Sequence, residues 1–243
     1  MKKIDVRNVV LKLIFPITVF SITLASCLLG FKAVTKMPYP IPISTEEEFY
    51  EFTNTYRDGY FVLKNQITFK NPIKPIGDKD HPFKGMINGG GFNFDNIQID
   101  SSIFDGRFMD GSDLFIGLFP FNEGVILNLN ISNFKILNLD KVDSEKVSNV
   151  VCGGIVGLNN GRVSGCSLFS SNIEVNCDVN NLIFGSIIGK NCCEVHKCKM
   201  VQNITFNGCA KNLVCGGIIG MCENAIVDRC FRKGWIGSHS FSC

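Results

Sequence analysis

The 243-residue chain has little of several features that define common protein classes. It contains one Trp, three His and a formal net charge of only +2. Balanced charge excludes the broad basic surface of a general nucleic-acid binder, so we expect no nucleic-acid partner. The histidines His81, His196 and His239 lack the two-His-plus-Glu helical pattern of a zinc peptidase. The sequence therefore predicts no metalloprotease, no metal and no cofactor.

The first half of the chain also lacks cysteine, apart from Cys27 in an apolar N-terminal run. Residues 1–12 carry four basic residues, and residues 13–31 carry no charge, close to the ~20 residues of a membrane-spanning helix. Leu24-Ala25-Ser26-Cys27 resembles a bacterial lipobox, which would make Cys27 the lipidated residue. The apolar run continues past Cys27, so an uncleaved signal anchor stays open. In either case residues 1–36 predict attachment to a membrane, with the rest of the chain on the extracytoplasmic side.

A linker and a short helix precede the main domain, which we place at residues 44–243. Residues 37–43 contain three prolines, which is typical of a stiff extended linker. Residues 44–56 predict a capping helix with two phenylalanines on one face. Two alternative capping boxes would start it: Ser44 with Glu47, or Thr45 with Glu48.

Internal repeats predict the fold of the main domain. Five units align at a constant spacing, except for one longer step between the second and the third. Their first apolar positions are Phe94, Ile126, Val163, Val195 and Val227, and their second are Ile97, Leu129, Cys166, Cys198 and Cys230. Each unit has short β-rich runs separated by Gly and Asn turns and must stack on its neighbours to bury an apolar face. The pattern predicts an all-β fold, a parallel β-helix (solenoid) of about five coils, in which Cys166, Cys198 and Cys230 form a ladder in the core.

Three glycine motifs recur at nearly the same spacing: Cys152-Gly-Gly-Ile-Val-Gly157, Phe184-Gly-Ser-Ile-Ile-Gly189 and Cys215-Gly-Gly-Ile-Ile-Gly220. Gly117-Leu118-Phe119 is a variant copy, with Pro120 where a Gly is usual. The motifs resemble the GLUG repeat of bacterial surface and secreted proteins, including adhesin-like proteins and non-catalytic parts of IgA1-specific metallopeptidases. The resemblance implies a right-handed β-helix with repeats over about residues 115–243. Its repeat glycines are Gly117, Gly154, Gly157, Gly185, Gly189, Gly217 and Gly220.

A line of polar residues offers one catalytic interpretation. Ser164, His196 and Asp228 each follow an inward-facing Val in consecutive units, so they could stack as a hydrogen-bonded Ser-His-Asp line. The simpler interpretation is a variable outward position, because the corresponding upstream residues are Asp95 and Leu127.

Three other segments have a chemical and a plainer interpretation. Five aspartates between residues 95 and 113 could bind calcium, or form a solvated loop. The segment 192–198 has zinc-ligand residue types, but adjacent Cys192 and Cys193 favour core and surface thiols instead. Outside the cytoplasm, some cysteines should form disulfides. The insertion at residues 138–149 predicts either a specific contact or a tolerated loop.

The sequence as a whole predicts a membrane-anchored binding, adhesion or surface-display module without catalytic activity. We expect a glycan or an extracellular protein as ligand, and self-association through the last coil. The alternatives are a polysaccharide-active β-helix enzyme, a lyase or a glycosidase, and a purely structural stalk or fragment.

Overall fold

The computed structural model describes residues 39–55, 57–143, 145–234 and 236–239, without the side chains of residues 140, 170–178, 202, 205–209 and 237–239. The chain divides into two units, Met1–Tyr39 and Pro40–Cys243. The predicted membrane segment 1–36, with Cys27, lies outside the described residues. Among the described residues, no helix is long and apolar enough to cross a membrane.

The described residues are mostly β-strand. The strands in chain order are β1 (Ile41–Ile43), β2 (Tyr60–Leu63), β3 (Ile67–Thr68), β4 (Met86–Asn88), β5 (Asn93–Asp95), β6 (Gln98–Asp100), β7 (Met109–Asp110), β8 (Asp113–Ile116), β9 (Phe119–Asn122), β10 (Val125–Leu127), β11 (Asn130–Ser132), β12 (Lys135–Leu137), β13 (Asn149–Gly153), β14 (Val156–Asn159), β15 (Arg162–Ser164), β16 (Ser167–Gly185), β17 (Ile188–Asn191), β18 (Glu194–His196), β19 (Lys199–Gly216), β20 (Ile219–Cys222), β21 (Ile226–Asp228), β22 (Phe231–Lys233) and β23 (Ile236–His239). The described helices are α1 (Glu46–Thr55) and three 3-10 helices at Ser101–Ile103, Gly106–Phe108 and Leu139–Lys141.

The strands form three sheets. The first has the order β1-β2-β4-β10-β15-β18-β21, the third has the order β20-β17-β14-β9, and the other twelve strands form the second. From β8 onward the chain visits the second, third and first sheets in that fixed order. Equivalent strands of successive turns pair in parallel, as Val163 does with Ile126 in the turn before and with Val195 in the turn after. The predicted all-β class with parallel strands is confirmed, and β7–β8 is the antiparallel exception among the described strands.

The sequence alignment of the first unit is wrong. Phe94 pairs with Ile131 rather than with Ile126, and Ile126 pairs with Ile87 and Val163. The first sheet contains seven strands, two more than the five repeat units of the alignment.

The cause of the misalignment is that one turn contains the same apolar-x-Asn-apolar pattern twice, at residues 126–129 and 131–134. Asn128 and Asn133 both adopt positive φ, 48° and 53°, which Asn tolerates better than most residues. Each Asn therefore marks its own corner. Asn96 (φ 57°) matches the second corner and not the first.

The core continues along the stacked strands. Ile87, Ile126, Val163 and Val195 are fully buried, whereas Val227 of β21 is 45% exposed. Among the described residues, β21 pairs on one side only. The predicted row of inward-facing residues therefore ends at Val227 without a further described strand against it.

Helix α1 begins where the second of the two capping boxes predicted. The Glu48 backbone N–H donates to Thr45 Oγ1 at 3.1 Å, and the Glu48 carboxylate accepts from the Ser44 N–H at 2.7 Å. Phe49 is fully buried, with its ring centroid 5.0 Å from that of Phe94. The helix thus covers the core beside β5.

Candidate functional site

The repeat glycines hold neighbouring strands close together. Gly157, Gly189 and Gly220 occupy equivalent positions in β14, β17 and β20. A Cβ on Gly157 would lie 2.7 Å from the Pro120 carbonyl oxygen, and one on Gly220 would lie 2.7 Å from that of Gly189. Because backbone oxygens cannot move aside as side chains do, any larger residue displaces the strand.

The other repeat glycines are restricted in the same way. Gly117, Gly154, Gly185 and Gly217 would each place a Cβ against the backbone or a side chain of another segment. These residues are not among those with positive φ. The glycine motif is therefore explained by close packing.

The three ladder thiols occupy matching positions. Each Sγ lies near the carbonyl oxygen two residues earlier, at 3.6 Å for Cys166, 3.5 Å for Cys198 and 3.6 Å for Cys230. Cys166 and Cys198 are fully buried, while Cys230 is intermediate. The hydrogen bond with the Cys166 thiol raises the pKa of Cys198 to about 12, and burial adds to the rise. With this pKa the Cys198 thiol is unreactive at neutral pH.

Several cysteines are free thiols in this structure: Cys166, Cys192, Cys193, Cys198, Cys215, Cys222 and Cys230. The predicted disulfides therefore do not join these seven residues. Cys222 is exposed, and the described residues contain no group of three His, Cys, Asp or Glu side chains placed to hold a metal ion.

Ser164, His196 and Asp228 lie opposite one another on β15, β18 and β21. His196 Nδ1 is 3.7 Å from Asp228 Oδ2, and His196 Nε2 is 3.6 Å from Glu194 Oε2. Both distances exceed those of a hydrogen bond. His196 Nε2, which would be the base for Ser164 in such a line, is near Glu194, and the catalytic interpretation stays a prediction. Asp228 instead accepts from Arg229 Nε at 2.7 Å.

The five aspartates between residues 95 and 113 do not converge. Each carboxylate has a separate partner: Asp95 with Ser132 and Asn133, Asp100 with Ser102 and Asn138, Asp105 with Arg107, Asp110 with Lys79, and Asp113 with Asn149. Several of these bonds join segments one turn apart, so the acids fasten loops to the sheets.

These bonds bring together the two segments that leave the strands. Residues 101–108 lie between β6 and β7, and residues 138–148 lie between β12 and β13. A cleft of about 280 Å³ lies between them. Its lining is Ser101, Ser102, Phe104, Asp105, Gly106, Met109, Leu114, Lys141, Val142, Asp143, Lys146 and Val147. We refer to these residues as the loop cleft.

The walls of the loop cleft are held in place. The Ser101 hydroxyl donates to the Leu137 carbonyl at 2.9 Å, and Asn138 Nδ2 donates to Asp100 Oδ1 at 2.9 Å. Phe108 (5% exposed) and Leu139 (fully buried) anchor the two segments in the core. Buried Leu139 and the Asn138 hydrogen bond tie the insertion to the domain, while Lys141, Asp143 and Lys146 are exposed; both interpretations of the insertion stay predictions.

Hydrogen bonds keep the acids around the cleft ionised. Burial acts to raise the pKa of Asp100, but hydrogen bonds from Asn138 and Ser102 outweigh it and lower the pKa overall. The pKa of Asp105 is lowered by hydrogen bonds from the side chain and backbone of Arg107. The pKa of Asp143 is lowered chiefly by its hydrogen bond from Lys146.

The sequence did carry a signal for this site that the repeat alignment missed. The sequence separation is 38 between Asp100 and Asn138, and 36 between Asp113 and Asn149. Both values are close to the 37 that separates Asn122 from its partner one turn later. An Asp and an Asn separated by about the length of one turn therefore predict that the segments 101–108 and 138–148 lie close together.

No protein-family model matches the chain, and no curated protein matches it. A solved structure matches, that of a putative immunoglobulin A1 protease from Bacteroides ovatus, with 14% sequence identity and a TM-score of 0.41. The match covers 79% of this chain and 75% of that chain. The resemblance to the GLUG repeat therefore stays a prediction.

Proposed function

We propose that the chain is a non-catalytic binding or display module, a right-handed β-helix that holds the loop cleft outward from a membrane. The observation that carries the proposal is the cleft itself. Two segments leave an otherwise repetitive set of parallel strands, meet, and are fixed by hydrogen bonds on both sides. Binding sites are commonly loops positioned by a rigid scaffold.

The sheet order supports the β-helix. Successive passes through the second, third and first sheets, each in parallel register with the pass before, are what a three-sided solenoid requires. Such a stack cannot bury its apolar faces as single turns, so it is a rigid platform once formed.

The acids around the cleft lack the raised pKa that a glycosidase needs in its general acid. A glycosidase needs one carboxylic acid held protonated, with a raised pKa, beside a second carboxylate. The pKa values of Asp100, Asp105 and Asp143 are lowered instead. The cleft's acids are thus suited to accepting hydrogen bonds.

The proposed location rests on the N-terminal sequence. Residues 1–36 would anchor the chain, by a lipid on Cys27 or as a signal anchor, and leave the domain on the extracytoplasmic side. An intact mass of protein extracted from its membrane tests this. A chain beginning at Cys27 with added lipid, or one retaining Met1, supports an anchor, and a shorter chain without lipid contradicts it.

A polysaccharide panel tests the binding function. The full chain, in detergent micelles, is titrated with immobilised and soluble polysaccharides while newly formed chain ends are measured. We expect binding without cleavage. Cleavage that is lost in Asp105→Asn and Asp143→Asn would favour the enzyme instead, and absence of binding to every glycan and surface protein tested would contradict a binding module.

Self-association through the last coil is a separate proposal. Val227 and Phe231 are 45% and 55% exposed, and a second copy of the chain would cover them. Sedimentation of the full chain at rising concentration tests this. An association constant that is unchanged in the Val227→Ser, Phe231→Ser variant would contradict it.

A further inference from the structure

Lys141 is the cation of the loop cleft that lacks a close acidic partner. Lys146 is paired with Asp143 at 2.8 Å. Among the described side chains, no carboxylate lies within 4.0 Å of the Lys141 ammonium, although its charge contributes to the lowered pKa of Asp100. The exposed Lys141 ammonium, without an ion pair among the described side chains, is available to a ligand group with one negative charge. A phosphate monoester, with up to two charges, is better matched by several donors or by a bidentate Arg.

Other polar groups of the cleft present acceptors. The Ser102 hydroxyl already donates its proton to Asp100 Oδ1 at 2.7 Å, so its oxygen is left to accept. The Asp105 and Asp143 carboxylates also line the cleft and accept only. A ligand must therefore donate several hydrogen bonds besides carrying its charge.

Most of the remaining lining is apolar, with Phe104, Met109 and Val142 among it. The cleft volume of about 280 Å³ is just below the ~300–1,000 Å³ of sites for drug-sized molecules. It therefore suits one small unit of a longer ligand. That unit needs a compact body with hydroxyl donors, an apolar face and one anionic group.

We infer that the loop cleft binds a carboxylate-bearing sugar unit, of the uronic-acid type, within an extended glycan. Lys141 pairs with the sugar carboxylate, Ser102, Asp105 and Asp143 accept from its hydroxyls, and Phe104 packs against its C–H face. An acidic peptide fits less well, because Asp and Glu side chains offer neither hydroxyl donors nor a ring with a C–H face for Phe104. The inference rests on the proposed binding function and names its ligand class.

Titration calorimetry of the full chain in detergent micelles tests the inference. The probes are oligomers of galacturonate, of mannuronate and guluronate, and of hyaluronan, each compared with its carboxyl-reduced form. Oligo-glutamate is the peptide control. Lys141→Gln removes the proposed charge partner. Lys135→Gln, at an exposed position of β12 outside the cleft lining, is the matched control.

We expect at least one acidic oligomer to bind roughly tenfold more tightly than its reduced form. Lys141→Gln should abolish that preference, Lys146→Gln should reduce it less, and Lys135→Gln should leave it unchanged. The preference should shrink as salt is raised.

Failure of the inference is distinguishable from failure of the proposed function. Equal binding of acidic and reduced oligomers, or equal losses in Lys141→Gln and Lys135→Gln, would overturn the sugar-acid site while leaving a binding module in place. Tighter binding of oligo-glutamate would overturn it in favour of an acidic peptide. No binding of any saccharide or protein would overturn both.

Discussion

The turns before residue 138 and those after residue 149 are built in different ways. In the first sheet, the step from Phe61 to Ile87 is much shorter than the step from Ile87 to Ile126. After Val163 the steps become regular, as from Val195 to Val227. Many ring–ring contacts lie between Phe49 and Phe121, such as those of Phe49 with Phe94 and of Phe83 with Phe119, so the irregular part is rich in packed aromatics.

In the regular part, hydrogen bonds between equivalent residues repeat from turn to turn. Asn122, Asn159 and Asn191 form a buried ladder, with Nδ2 to Oδ1 distances of 2.7 Å at each step. The thiol ladder and the close-packed glycines follow the same period. Uniform turns permit such ladders because identical residues meet at every level.

The difference shows where the chain could gain a binding site. Where successive turns have the same length, no segment projects from the sheets. Where their lengths differ, the extra residues project as loops that pack on each other. The loop cleft lies where the irregular turns end. We therefore regard the regular part as scaffold and the irregular part as the place of recognition.

The largest expected effect comes from the aromatic filling. Phe94→Ala should lower the free energy of unfolding by about 3–5 kcal/mol, because a buried ring is lost and its neighbours Phe49 and Phe69 cannot fill the space. Denaturant unfolding measures the change. Phe169→Ala, at a ring 40% exposed, is the control and should cost less than half as much; equal losses would contradict burial of the Phe94 ring as the source of the effect.

Close packing of the regular strands predicts the next effect. Gly157→Ala should destabilise by about 1–3 kcal/mol, since its Cβ would lie 2.7 Å from the Pro120 oxygen. Gly106→Ala is the control, because nothing lies within 4 Å of its Cβ, and it should change stability by at most about 0.5 kcal/mol. Similar values for the two variants would argue against close strand packing as the reason for the glycine motif.

The thiol ladder predicts a loss of stability at alkaline pH. The pKa of Cys198 is raised from 9.0 to about 12 in the folded chain, so its contribution is fully present below pH 9.0. The contribution is lost as the pH rises toward 12, by at most about 1.4 kcal/mol per pH unit, since the unfolded thiol ionises first.

Unfolding measured between pH 8 and pH 11 should therefore show a shallower decline in Cys198→Ala than in the native chain. Identical slopes would mean that the thiol ionises as readily in the fold as outside it.

The smallest expected effect on stability is at the loop cleft. Asn138→Gly keeps the residue's positive φ of 60° but removes its hydrogen bond to Asp100, at a cost of about 1 kcal/mol. Asn133→Gly loses the equivalent bond to Asp95 at 2.7 Å and serves as the matched control. We expect similar stabilities in thermal unfolding but weaker glycan binding only in Asn138→Gly, and equal binding losses would remove the cleft from recognition.

Sequence reasoning was sufficient for features that repeat and insufficient for those that do not. The constant offset between the last units identified the equivalence of Val163, Val195 and Val227 because uniform turns preserve phase. Phe94 was misaligned because Asn128 and Asn133 mark two corners within one turn, and a short sequence pattern does not distinguish them. The bond between Asp100 and Asn138 depends on how two loops of different length fold back onto the strands. The number of residues per turn does not determine that.

Hydrogen–deuterium exchange of the full chain, with and without a saturating glycan from the binding panel, tests the division between scaffold and recognition most directly. We predict slower exchange on binding in peptides covering residues 100–113 and 138–149, with no change in β15, β18 and β21. Protection along those three strands, or along the flank of the regular turns, with none at the loop cleft would contradict the account.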